Sequence, residues 1–459
     1  MEVHIRCLVI IDGEHYPPVI EAALREITDD GYDIEGALLI GGREKLPDED
    51  LEEIGGVPII SGDDATRVLE DSIRRIRPEL VIDLSDEPVL DYRGRHLLAG
   101  IALANQVRYQ GADFVFEPPP RPRVATKPSI AVISTGKRTG KTAMAGFTAR
   151  VLSDAGHSPV IVAMGRGGPE EPEVLRGDQI ELGPKELMAI ANQGRHAASD
   201  YIEDALLGQV PTVGCRRCGS GLAGGVDHSN VAEGVALAND LPGDLLILEG
   251  SGAAIPPVHA DATIVVLPAH VDLEYLRGYM GPYRLLLSDL AVVTLCEEPF
   301  GSPSRISEIT SLVGESFRSQ SLGDEGRGIR VVRTVFRPAP TRPVDGKKAF
   351  VATTAPEEVG DSLKEHLEAE HGCEVVGMSH QLSDRKKLTR EIEKMSEHAD
   401  LLLCEIKAAG VDVATRKALD EGLDVVYMNN VPQGVEGDDP SAALREVAEI
   451  AVERFERSY

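Results

Sequence analysis

Short apolar runs alternate with stretches of helical spacing along almost the whole chain. Residues 7–11, 36–40 and 80–84 are compact apolar runs, while residues 19–27 carry apolar positions at helical intervals. The alternation returns at 129–134, 160–164, 244–249 and 290–294. It appears once more at 348–352, 401–404 and 425–428, with helical patterns at 362–370 and 415–421. Strands that are apolar throughout need cover on both faces, so this pattern predicts parallel α/β layers. Two proline-rich stretches, 116–128 and 336–346, interrupt it. Proline lacks a backbone donor and drives its predecessor to an extended conformation, so both read as linkers. They divide the chain into segments 1–125, 126–337 and 345–459.

The middle segment is the most legible. The apolar run Ser129–Ser134 leads into Thr135-Gly-Lys-Arg-Thr-Gly-Lys-Thr142, and a helical pattern follows through residue 153. Strand, glycine-containing loop, Gly-Lys-Thr and helix, in that order, make a phosphate cradle. Backbone N–H groups and the helix N-terminus face the anion, Lys141 reaches the β- and γ-phosphates, and the Thr142 hydroxyl ligates Mg²⁺. Gly136, Lys137, Arg138, Thr139, Gly140, Lys141 and Thr142 are thus the expected ATP-binding residues. The usual pattern starts with glycine, and Thr135 stands there instead, so the turn must accept a side chain.

Residues 244–249 form a second apolar run that ends in Glu249, at the edge where open parallel sheets place ligands. Glu249 is the second expected Mg²⁺ ligand. Its Glu-Gly-Ser-Gly form resembles the P-loop branch that contains dethiobiotin synthetase and related amide-forming synthetases. In that branch a position like Thr294 or Glu297, at the end of the run 290–294, reads the nucleotide base. The expected fold class is therefore α/β, with a central P-loop NTPase domain on a parallel sheet flanked by N-terminal and C-terminal α/β domains.

Composition sharpens the picture where it bears on ligands. Forty-seven Lys and Arg stand against 76 Asp and Glu, a formal charge of −29. Such a surface repels nucleic acid and anionic membranes. No run of about 20 apolar residues offers a membrane span, and the first residues lack a signal-peptide pattern. A soluble, cytoplasmic protein with neither partner is expected. Six cysteines do not make a disulfide framework, and the close pair Cys215 and Cys218 lacks a second pair for zinc.

In so acidic a chain, basic residues gathered in glycine-rich loops are informative. Gly165-Arg166-Gly-Gly, Gly194-Arg195-His196 and Gly214-Cys-Arg216-Arg217-Cys are three such loops. An arginine fork binds phosphate oxygens bidentately, and glycine lets the backbone approach, so Arg166, Arg216 and Arg217 point to a polyanion. In the first segment Asp12, Glu14 and His15 follow one strand, Arg43 and Lys45 another, and Arg93 lies beyond a third. Polar residues at strand ends mark a binding edge. In the last segment Lys407, with Asp412 and Arg416, follows a strand and is placed to close over nucleotide or substrate.

These stretches together carry a specific resemblance. Asp12-Gly-Glu-His-Tyr16, Asp83-Leu-Ser-Asp-Glu-Pro88, the loop 135–142, Met164-Gly-Arg-Gly-Gly-Pro169, His196-Ala-Ala-Ser-Asp200, Gly214-Cys-Arg-Arg-Cys-Gly219, Glu249-Gly-Ser-Gly252 and Lys407-Ala-Ala-Gly-Val-Asp412 resemble the cyclic 2,3-diphosphoglycerate synthetases of methanogenic archaea. The likeness runs over nearly the whole chain. It implies an ATP-dependent ligase that converts 2,3-bisphosphoglycerate to the cyclic phosphoanhydride, releasing ADP and phosphate. It further implies Mg²⁺, a cytoplasmic homodimer, and a product that serves as compatible solute and thermoprotectant. Loop position and charge distribute the roles. Lys141, Thr142 and Glu249 take ATP and Mg²⁺; Arg166, Arg216 and Arg217, with Lys137, take the phosphates being joined; Asp12, Glu14, His15, Arg43, Lys45, Arg93 and Lys407 serve the substrate.

Two rivals differ in testable ways. A P-loop phosphoglycerate kinase would stop after phosphoryl transfer and release no free phosphate. A switch ATPase of the MinD or ParA sort carries an extra lysine where Gly136 stands, and its membrane tail is basic, whereas residues 442–457 here are acidic.

Overall fold

The structure, a computed structural model, describes residues 5–42, 45, 52–180, 183–192, 200–316, 328–382, 384–407 and 410–458. The chain forms two compact units. One takes residues 1–120 with 272–288 and 314–329, and the other takes 121–271, 289–313 and 330–459.

The first unit is built on a sheet in the order Glu53–Ile54, Val57–Ser61, Tyr32–Leu39, Ile5–Ile11, Leu80–Asp83, Arg108–Gln110, Val115–Phe116. Its inner strands pair in parallel. Cys7 through Ile11 are all buried, which explains why the sequence shows a continuous apolar run rather than alternation. The helix Ala65–Ile76 starts at Asp64, whose carboxylate accepts from the N–H groups of Thr66 and Arg67. After Ile5–Ile11 the chain builds outward on one side, then crosses to Leu80–Asp83 on the other. A topological switch point falls between those two strands, at the residues that follow Ile11 and Asp83.

The second unit carries one long sheet. Its strands run in the order Glu173–Arg176, Pro211–Cys218, Pro159–Gly165, Leu245–Glu249, Ser129–Ser134, Ala262–Pro268, Leu290–Thr294, Arg330–Pro340, Asp424–Gly434, Leu401–Glu405, Lys348–Ala352, Glu374–Ser379. The strand Ser129–Ser134 is flanked in parallel by Leu245–Glu249 and Ala262–Pro268. The final helix, Pro440–Ser458, is tied to this sheet by Arg454, which bonds both carboxylate oxygens of Asp289 at 2.6 and 3.0 Å.

Residues 117–128 have no helix or strand. The second expected linker is different: from Phe336 to Pro340 it is strand, paired antiparallel with Met428–Pro432. The parallel neighbour Leu290–Thr294 pairs only as far as Arg333, so the prolines beyond it sit where one edge of the strand is open. Pro338 and Pro340 are two residues apart and turn their donor-less nitrogens the same way, which an edge tolerates. Proline content alone could not separate a linker from an edge strand.

Candidate active site

The loop after Ser134 wraps into the helix Lys141–Asp154, whose first turn closes with Met144 N–H on the Gly140 carbonyl at 2.9 Å. Its left-handed positions are Arg138, at φ 59°, and Gly140, at φ 87°. Thr135 is not among them, so the place where the usual pattern has glycine does not need one here. The Thr139 carbonyl accepts from the buried Thr294 hydroxyl at 2.9 Å, which ties the loop to the end of Leu290–Thr294.

Lys141 and Thr142 converge on one carboxylate oxygen. Lys141 Nζ lies 2.6 Å and Thr142 Oγ1 2.8 Å from Glu249 Oε1. Glu249 is fully buried, and its other oxygen, Oε2, has no donor. The three residues expected to share ATP and Mg²⁺ are thus in mutual contact. A hydroxyl beside a buried carboxylate oxygen that lacks a donor is a hard-oxygen set that suits Mg²⁺, which keeps much of its coordination for water and phosphate. Among the described residues no group of three or more His, Cys, Asp and Glu is arranged as a metal cage.

The short helix Asp200–Gly208 supplies carboxylates of which only Asp200 falls within the strings that carry the resemblance. Asp200, Glu203 and Asp204 follow i, i+3, i+4 spacing and share one face, a signal that was present in the sequence. Burial, and next the charge of Glu249, push the Asp200 carboxyl up, against the pull of Lys141, Lys407 and Arg166. Asp204 is fully buried and neither of its oxygens meets a donor. Burial first, then the charge of Glu249, holds its carboxyl well above the usual range.

Lys407 reaches this helix. Its Nζ lies 2.7 and 2.9 Å from the two oxygens of buried Glu203. Burial works to lower the Lys407 ammonium, but Glu203 outweighs it and raises the group, while burial raises the Glu203 carboxyl. An acid whose folded pKa is raised binds its proton more tightly when folded, so its contribution falls as pH rises above the ordinary carboxylate range. Lys407→Met leaves Glu203 without its cation and widens that window. A loss of about 1–3 kcal/mol is expected at pH 8, shrinking at pH 5, in urea unfolding of wild type and variant. Equal losses at both pH values would refute the pairing as the cause.

The arginine loops meet at Gly252. This glycine has φ 59°, and a Cβ built on it would lie 2.8 Å from Arg166 Nη2 and 3.7 Å from Arg217 Nη2. Arg217 is buried and donates to the carbonyls of Ser251, at 2.7 Å, and Gly219, at 2.9 Å. Burial, then the charge of Arg166, lowers its pKa. Arg166 is exposed, and no described acceptor holds its guanidinium. Strand alternation sends Arg216 the other way, to an exposed position, so the adjacent arginines are split. Cys215 is buried and Cys218 exposed on the same strand, and all six cysteines are free.

The remaining expected contacts sort as follows. Lys137 and Arg138 are exposed on the loop, and Gly136 accepts from Ser134 Oγ at 3.0 Å. Glu297 is held by Arg337 through two bonds of 2.8 Å. In the first unit, buried Asp12 sits at the switch point. Its Oδ1 lies 2.7 Å from His15 Nδ1, and its Oδ2 accepts from Asp86 N–H at 2.7 Å, so the imidazole is aimed by a carboxylate. Glu14 pairs with Lys45 at 3.2 Å. Arg93 makes two bonds to Glu274, an ion pair within that unit. Arg43 and His196 lie outside the described residues.

A phosphate loop on a parallel sheet, with lysine, threonine and a strand-end glutamate in contact, defines a P-loop nucleotide-binding enzyme. Residues 129–321 match the family described as cyclic 2,3-diphosphoglycerate synthetase, P-loop domain, residues 340–431 its C-terminal domain, and residues 6–117 its N-terminal domain. The chain belongs to the cyclic 2,3-diphosphoglycerate synthetase family. It is 43% identical to a cyclic 2,3-diphosphoglycerate synthetase of Methanothermobacter thermautotrophicus over 98% of this chain and 97% of that one. Against the protein of that name in Rubrobacter xylanophilus it is 46% identical, over 94% and 96%. LpxK from Aquifex aeolicus, solved in complex with ATP, aligns over 73% of this chain and 90% of that one at 15% identity; its TM-score of 0.37 is too low to bear on the fold. No helix among the described residues is long and apolar enough to cross a membrane.

Proposed function

We propose that this chain uses ATP and Mg²⁺ to close the phosphoanhydride ring of 2,3-bisphosphoglycerate, giving the cyclic product, ADP and phosphate. The observation that carries this reading is the pair of guanidiniums over Gly252, one of them without a described acceptor, in the same unit as Lys141, Thr142 and Glu249. Two like charges held together in an acidic protein call for a polyanion between them.

Lys141 exchanges Glu249 for the β- and γ-phosphate oxygens of the nucleotide, while backbone N–H groups of the loop and helix N-terminus cradle them. Thr142 and Glu249 are the residues that would hold Mg²⁺, which would supply charge neutralisation at the phosphates. Arg166 and Arg217 hold the substrate phosphates together against their mutual repulsion. The γ-phosphoryl group passes to one substrate phosphate as its bond to ADP breaks. An oxygen of the other substrate phosphate then bonds to that activated phosphorus, and inorganic phosphate leaves. Positioning and electrostatics supply most of the rate. A cytoplasmic homodimer that accumulates an anionic solute is the setting this scheme implies.

Phosphorus NMR of the purified protein with ATP, Mg²⁺ and 2,3-bisphosphoglycerate tests it. An upfield phosphoanhydride pair growing with ADP and phosphate is expected. ADP formation without free phosphate and without that pair would favour the kinase.

A further inference from the structure

Phe336 opens the stretch that reads as a linker, yet it belongs to the sheet of the second unit. Its ring lies directly against the phosphate loop. A Cβ built on Gly140 would come within 2.2 Å of Phe336 Cζ and 2.4 Å of Cε2, so only glycine fits under that ring edge. The backbone places it at the ligand edge. The last pair between Leu290–Thr294 and its neighbour is Val293 with Arg333, and Arg330–Pro340 continues three residues further to Phe336. Thr294 ties the loop at Thr139 to the same end of the sheet, and Arg337 clasps Glu297 through both oxygens. Aromatic residues are scarce: 8 Phe, 10 Tyr and no Trp in 459 residues. One of the few stands half-buried against the loop that cradles phosphates.

We infer that the Phe336 ring is the platform on which the base of the bound nucleotide lies, with the Arg337–Glu297 pair fixing the loop beside it. A partly exposed ring can offer an apolar face to a purine, and base–aromatic stacking needs no hydrogen-bond complement. The assignment replaces Thr294 as a reader of the base, because its hydroxyl is committed to the Thr139 carbonyl. Phosphate affinity then comes from Lys141 and the loop, and base affinity from Phe336. The inference rests on the ATP-using reading above.

The experiment compares ATP with inorganic tripolyphosphate, each with Mg²⁺, by calorimetry on the full chain. Phe336→Ala weakens ATP by about tenfold, the scale of one stacked base, and leaves tripolyphosphate unchanged. Phe336→Trp creates the sole tryptophan of the chain, and its fluorescence responds to ATP but not to tripolyphosphate. Equal weakening of both ligands in Phe336→Ala, or an equal response of the tryptophan to both, would overturn the assignment and leave Phe336 as packing for Gly140. Lys141→Met separates the two levels. If it leaves ATP binding intact, the phosphate-loop reading itself falls. If it weakens both ligands while Phe336→Ala weakens neither, only the base platform falls.

Discussion

Lys141→Met lowers ATP-dependent turnover by about a thousandfold, the upper range for removing one pre-placed charge from a reacting centre. Lys141 is 7% exposed and its ammonium has Glu249 at 2.6 Å, so it is already held where the nucleotide phosphates enter. It must trade a buried carboxylate for phosphate oxygens, and that exchange links binding to release of Glu249. Methionine keeps the volume of the stem but leaves Glu249 with only the Thr142 hydroxyl. Breaking a buried pair by removing one partner costs about 3–5 kcal/mol, so the variant should also melt earlier. The two effects separate in one experiment, in which ADP formation is measured well below the melting point with thermal unfolding followed with and without ATP. Wild type gains stability from ATP by mass action and the variant does not. Turnover within about tenfold of wild type would remove Lys141 from phosphoryl transfer, since such a loss is one tenth of that for a missing oxyanion donor.

Much of this site could be read from the sequence because its signals are local. Ser129–Ser134, the loop and its helix are contiguous, and Glu249 ends an apolar run, so their place at the C-terminal ends of parallel strands sets both at the ligand edge. What was not legible depends on direction or on distant pairing. Arg216 and Arg217 are neighbours in sequence, and only the phase of Pro211–Cys218 decides which one turns inward. Glu203 and Lys407 are 204 residues apart, and nothing local announces that they meet. Phe336 was hidden by the prolines after it, since a strand with one open edge carries the composition of a linker. Asp204 could have been found, because the acids of Asp200–Gly208 follow i, i+3, i+4 spacing within the segment that carries the phosphate loop.

Arginine direction sets the second large effect. Arg166→Gln lowers formation of the cyclic product by about a hundredfold or more while ATP binding is kept, since the lost group neutralises charge only where the phosphates are joined. Arg166 has no described acceptor to release, so little stability goes with it. Arg217→Gln lowers the rate comparably but also destabilises, because buried bonds to the Ser251 and Gly219 carbonyls are lost with it. Arg166→Lys recovers only part of the rate: an ammonium is a point charge and cannot bridge two phosphate oxygens as the planar fork does. Arg216→Gln is the control, exposed on the opposite side of the same strand, and should stay near wild type. The comparison rests on product formation by phosphorus NMR, ADP release and ATP affinity for all four variants. Arg216→Gln losing as much product formation as Arg166→Gln would mean that net positive charge, rather than the fork over Gly252, joins the phosphates. A loss of ATP affinity in Arg166→Gln equal to its loss of rate would move that residue from the substrate to the nucleotide.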